Sequence, residues 1–238
     1  MTTMTAPPIG INRDRWFYVG MTVAMTMTVF AGFAPSFYLR KAGFNGPPLT
    51  PFILVHAAMM TAWMLGCVLQ ASLIAARSIS AHRAFGWLFA LVAVAIVVTG
   101  PQLGIATIKR GAVPPGLTAE QFLVLPMAGV IMFAGFVGLG IWQRNNAQAH
   151  KRLMLLSTIA ILDAATARMP GMFDAGPLAF FAAADAFIVA GILYDLAARA
   201  RVHPVWIWGG LAIIVSQALR LLLSSTEAWA NFVRYLVG

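Results

Sequence analysis

Apolar residues in this chain come in long unbroken runs, and short polar segments rich in Gly, Pro, Arg and Lys separate them. About 20 consecutive apolar residues are needed to cross the hydrocarbon of a bilayer, so each run reads as a transmembrane helix. The pattern predicts seven spans, at about 16–38, 51–76, 82–108, 121–142, 150–169, 178–198 and 205–224. The hairpin Thr50 to Gly100, two antiparallel helices joined by a basic turn, is expected to organise the bundle, with the other helices packed around it. Gly100-Pro101 predicts a kink or a loosened end in the third run. The first run carries aromatics at both ends, as interfacial belts do, and lacks the short apolar core and small-residue cleavage site of a signal peptide. Met1 to Ile11 reads as a flexible tail and Lys41 to Thr50 as a Gly/Pro loop, and an aromatic, amphipathic stretch follows residue 224. The seventh run is the least regular, because Gln217 and Arg220 interrupt it. Gly86, Gly129, Gly135, Gly138 and Gly191 are expected to let helices approach closely.

The fold class predicted is therefore all-α, a single polytopic transmembrane domain over residues 1–238. Composition agrees: 61% of residues are hydrophobic and 10% charged, against about 25% charged in soluble domains, and the mean hydropathy is +0.83. The net charge of +9 would suggest nucleic acid in a soluble protein, but here the basic residues sit between apolar runs and set orientation instead. With the N-terminus in the cytoplasm, Arg13, Arg15, Arg77, Arg83, Arg144, Lys151, Arg152, Arg199 and Arg201 face inward. Arg40, Lys41, Lys109, Arg110 and Arg234 face outward. That excess on one side predicts a multi-pass protein of a bacterial inner membrane. Its expected partners are the lipid bilayer and, within it, another membrane protein or a second copy. Cys67 is the one cysteine, so intramolecular disulfides and cysteine metal motifs are excluded. No Walker loop, dinucleotide turn, nucleophile elbow or metalloprotease helix is present, which argues against ATP-driven transport by this chain alone.

Charged groups inside hydrocarbon are expensive and mark pairs or wet cavities. Counting along the helices gives two layers of them. The outer holds His56, Asp163, Arg168, Asp185, Gln217 and Arg220, and the inner holds Gln70, His82, His150, Asp195 and His203. His56, Trp63 and Gln70 recur at steps of seven and share one helix face. For the outer layer, one expectation is two Asp–Arg pairs that lock helices together. The other is a polar pocket of His56, Asp163, Arg168, Asp185 and Arg220, serving a transporter or sensor, in which an arginine holds an anion and His56 moves a proton. For the inner layer, His82 and His150 on different helices suit the axial pair of a b-type haem. His82, His150 and His203 together suit a hydrolytic zinc site, and headgroup-level histidines that cap helices or touch lipid phosphate are the plain alternative. Of the four histidines only His56 lies in the outer layer, so at most one bis-histidine haem is available.

The hairpin also carries motifs. Leu-Gly-x-x-x-Gln (residues 65–70), a basic turn and His-Arg-x-x-Gly (residues 82–86) resemble the core of a bacterial family of multi-span membrane proteins catalogued as a domain of unknown function (number 2306). The later run AHKRLMLLSTIAILDAATARMP is similar to that family's second signature, a His-Arg pair followed by a span ending near Arg168. The resemblance covers roughly residues 50 to 170 and implies a polytopic inner-membrane protein with no assigned activity. A further resemblance, to cytochrome b561-like membrane haem proteins, implies haem ligation by His82 and His150. Zinc-dependent seven-span hydrolases resemble the chain in span number and in inner-face histidines.

Overall fold

The structure is a computed structural model that describes residues 11–40 and 48–238. The tail up to residue 10 and the part of the expected Gly/Pro loop at 41–47, with Lys41, lie outside the described residues. Every regular element among the described residues is helical.

α1 (Ile11–Phe33) continues into a π-helical turn, Ala34–Tyr38. Pro35 has no N–H to give to the ladder, which widens so that the Leu39 N–H reaches Ala34 O at 2.7 Å. α2 (Pro51–Ala75) starts where the Thr50 hydroxyl accepts from the Ile53 N–H, with Pro51 in the first turn, where its missing N–H costs nothing. Its turn into α3 (Ile79–Lys109) places Arg77 at a left-handed φ of 61°. α3 carries Pro101 inside an unbroken helix. Gly100 and Gly104 flank that proline on the buried face against Val130 and Leu123. α4 (Ala119–Trp142) opens with a capping box between Thr118 and Gln121. α7 (Pro177–Arg199), α8 (Pro204–Ser224) and the short α9 (Glu227–Val237) complete the chain, α9 being the amphipathic stretch expected after residue 224.

α1 with its π-helical turn, α2, α3, α4, α7 and α8 are each long and apolar enough to cross a membrane. The fifth run is built differently. It forms α5 (Ala147–Ile159), a tight turn and the single-turn α6 (Asp163–Thr166). Through the turn the N–H groups of Ile161, Leu162 and Ala165 reach back three residues instead of four. Ser157 and Thr158 bend their hydroxyls onto Met154 O, competing with the backbone ladder. This strand of helix runs beside α7 for its whole length: Arg152 meets Asp195 near one end, and the Thr166 hydroxyl donates to Phe180 O at 2.8 Å near the other.

Burial reverses the expected centre of the bundle. From Leu155 to Ala160 every residue is buried, whereas the α2–α3 hairpin lies on the flank with Trp87, Leu91, Val94 and Val98 facing outward. A helix enclosed on all sides by other helices tolerates hydroxyls and charges, because protein groups satisfy them; a flank helix must be apolar because lipid cannot. α8 likewise turns Leu211, Leu219 and Leu222 outward. Glycines admit the closest approaches at Gly32, Gly66 and Gly191, where an added Cβ would stand 2.2 Å from Ala165 O, the Phe89 ring and the Trp206 ring respectively. Gly129 faces Ala160 as expected, but Gly86, Gly135 and Gly138 adjoin open space, so close packing is not their role.

Candidate functional site

α1, α3, α5 and α8 all begin at one end of the bundle, where α2, α4 and α7 end. The sequence motifs meet there. His82 lies in the first turns of α3 and His150 in the first turn of α5, and their rings stand 6.1 Å apart between centroids, nearly perpendicular. Asn146 starts α5 by accepting from the N–H groups of Gln148 and Ala149, which brings His150 back over the end of α4. There its Nδ1 lies 2.8 Å from Gly140 O. A carbonyl only accepts, so Nδ1 carries the proton and Nε2 keeps its lone pair.

Gln70, at the far end of α2, reaches His82. With its amide nitrogen turned that way it donates to Nδ1 at 2.5 Å and to His82 O at 3.1 Å, and its oxygen accepts from the Gly86 N–H at 3.0 Å. The Nε2 of His82 then bears the proton. Turned over, the amide would set its oxygen against His82 O and its nitrogen against the Gly86 N–H, so the first orientation is the one that satisfies both ends. Gln70, His82 and Gly86 therefore form one contact, and the open space beside Gly86 lies one turn along from His82.

A second cluster lies at the same end. Arg152, fully buried, forms a two-pronged pair with Asp195: Nε to Oδ2 at 3.0 Å and Nη2 to Oδ1 at 2.5 Å. Arg152 also donates to Gln148 O and Oε1. Asp195 further accepts from Arg199 at 2.6 Å and from the His203 N–H at 3.1 Å. Asp14 bridges Arg199 and Lys151, the latter at 2.5 Å, and accepts from the Tyr194 hydroxyl. The Nδ1 of His203 accepts from the Val205 N–H, capping α8 at 3.2 Å. Burial, with Arg152 nearby, holds His203 below the ordinary histidine range. His203 thus belongs to the ionic cluster. Among the described residues no three His, Cys, Asp or Glu side chains gather as a metal cage.

The outer residues fall into separate contacts. Asp163 pairs with Arg220, which also donates to Ser216 Oγ. Asp185 accepts from Gln217 at 2.9 Å. Of the two expected Asp–Arg pairs, one has formed, and a carboxamide stands in place of the second arginine. Arg168 donates to Ala164 O and lies 4.5 Å from the Phe33 ring centroid. His56 binds Thr99 Oγ1 at 2.8 Å through Nδ1, and no hydrogen bond or ion pair among the described residues links it to the acidic or basic members of this layer. Trp63, one turn series along from His56, is buried and donates to Thr158, which also lies 3.7 Å from Cys67 Sγ.

Sequence reasoning did not single out Arg152, Lys151, Arg199 or Asp14 as partners; it counted the basic three as loop charges. The Asp195–Arg199 spacing of four on one helix was the available signal.

Six long apolar helices with lipid-compatible outer faces around a charged, hydrogen-bonded interior define a multi-pass helical membrane protein. Compared with protein-family models, curated proteins and solved structures, the chain matches none.

Proposed function

We propose that the protein is a membrane haem b protein of the bacterial inner membrane, with His82 and His150 as axial ligands, serving redox chemistry or the assembly of a larger redox complex. The observation that carries the reading is the ring separation of 6.1 Å. Two imidazoles bound on opposite sides of one metal ion, each through about 2.0 Å of bond and about 1.2 Å of ring, would put their centres about 6.4 Å apart, whereas a tetrahedral pair would sit at about 5.2 Å. The separation thus favours axial ligation of haem over a zinc site. His150 already has the tautomer that ligation needs, held by Gly140 O as second-sphere carbonyls hold metal-bound histidines. Gln70 fixes the position of His82, whose Nε2 would have to give up its proton to ligate, and Gly86 leaves space beside the pair.

His82 and His150 would hold the haem, which would supply one-electron transfer. The chain's own contribution is to hold the two half-buried rings at fixed spacing and to keep their Nδ1 atoms engaged. In the same reading α5 and α6 together make a seventh crossing and the N-terminus is cytoplasmic.

The test is a reduced-minus-oxidised visible spectrum of the detergent-purified protein, with iron and zinc measured in the same sample. A sharp low-spin haem signal with near-stoichiometric iron is expected, and His82→Ala and His150→Ala should each abolish it. A colourless protein, or variants that retain all their haem, would sink the proposal.

A further inference from the structure

Three buried side-chain nitrogen or oxygen atoms lack a hydrogen-bond partner among the described residues: Arg15 Nη1, Tyr18 OH and Trp206 Nε1. Arg15 Nη1 and Trp206 Nε1 can only donate and the Tyr18 hydroxyl can donate too, and all three lie at the end of the bundle where α1 and α8 begin. Buried donors are seldom left unpaired, so what this end lacks is an acceptor. Tyr18 is 7% exposed and faces the ionic cluster: Lys151 Nζ lies 4.4 Å from its ring centroid, and Arg152, Asp195, Asp14 and Arg199 are all within electrostatic reach of its hydroxyl. The cluster sets three cations, Lys151, Arg152 and Arg199, against two carboxylates, Asp14 and Asp195. One positive charge is therefore unbalanced beside an unpartnered hydroxyl.

Asp195 and Arg152 are fully buried and paired with one another, whereas Lys151, Arg199 and Asp14 keep 20%, 26% and 21% of their side chains exposed. The accessible part of the cluster is thus two cations bridged by one partly exposed carboxylate at the start of α1. We propose that this is a binding site for a phosphoryl oxyanion, in which Lys151, Arg199 and the Tyr18 hydroxyl donate and the Asp14 carboxylate is the internal competitor that the anion displaces. A tetrahedral oxyanion has enough acceptor oxygens for three converging donors. The site lies at the helix ends, the level at which phospholipid phosphates stand in a bilayer, and it is separate from the His82–His150 pair.

The test uses the purified full-length protein and measures the unfolding midpoint and retained ligand by native mass spectrometry, at constant ionic strength. The probes are phosphatidylglycerol, phosphatidylcholine and inorganic phosphate. Phosphatidylglycerol should raise the midpoint more than phosphatidylcholine, which shares the phosphodiester but whose choline cation Lys151 and Arg199 repel. Tyr18→Phe, which keeps the ring, should weaken binding about tenfold, as expected for loss of a bond to a charged acceptor. Asp14→Asn should strengthen it by a similar factor, a direction that a merely structural role for Asp14 would not produce. If inorganic phosphate reproduces the same pattern across the variants, the source of the anion is free phosphate and the site stands. No shift with either probe overturns the proposal, as do equal shifts with both lipids or a shift unchanged in both variants.

Discussion

Arg152 and Asp195 sit fully buried on neighbouring helices and share two hydrogen bonds. Removing one partner leaves an uncompensated charge, so Asp195→Leu should lower stability by about 3–5 kcal/mol, and the double variant Asp195→Leu/Arg152→Met should recover most of that loss. Unfolding of the three proteins in one detergent checks this; equal stability of Asp195→Leu and the parent would show that the pair contributes nothing. His203 makes a pH-dependent prediction. Its Nδ1 must be bare to accept from Val205, and burial depresses its affinity for a proton in the folded chain. Between its folded value and the ordinary value of 6.5 the unfolded chain binds the extra proton. Stability should therefore hold above about pH 6.5 and decline as the pH falls below it. His203→Asn keeps a capping oxygen and should flatten that decline; an unchanged pH profile would remove His203 as its source.

The fifth helical run shows what an element can hide. It was expected as an ordinary span at 150–169, and the structure places it at the centre, carrying hydroxyls and charges and broken into α5 and α6. Position explains both features, since neighbouring helices supply the partners that lipid would not. The hairpin, expected to be the core, reads as continuously apolar because much of its surface meets lipid. Backbone contact should make the glycine at position 32 sensitive: a Cβ there meets Ala165 O at 2.2 Å, an atom that cannot rotate away. Gly32→Ala should cost about 1–3 kcal/mol, while Gly135→Ala, with nothing near it, should cost none. Melting curves of the two variants side by side would decide it, and equal losses would refute the contact.

For the whole molecule, the proposed seventh crossing predicts a topology. In a Cys67→Ser background, single cysteines at Asn145, before α5, and Asp174, after α6, should react with an impermeant thiol reagent from opposite sides of the membrane. Labelling from the same side would reduce the crossings to six. Seven crossings also set the two chain ends on opposite faces, which tagged termini would report independently.

Hydrophobic run length alone determined that this chain is helical, multi-pass and lipid-embedded, because the bilayer's thickness and its lack of hydrogen-bonding partners act on each segment separately. The positions of six long helices, the amphipathic end and the shared depth of His82 and His150 were legible for the same reason. Only the tertiary structure decided which polar groups meet. It joined Gln70 to His82, gave Arg152 to Asp195 and sent His203 to cap α8 beside that pair. It also divided the outer residues into separate contacts. Those outcomes depend on helix rotation and neighbour choice, and the glycine contacts that set them, at Gly32 and Gly191, act between segments far apart in the chain.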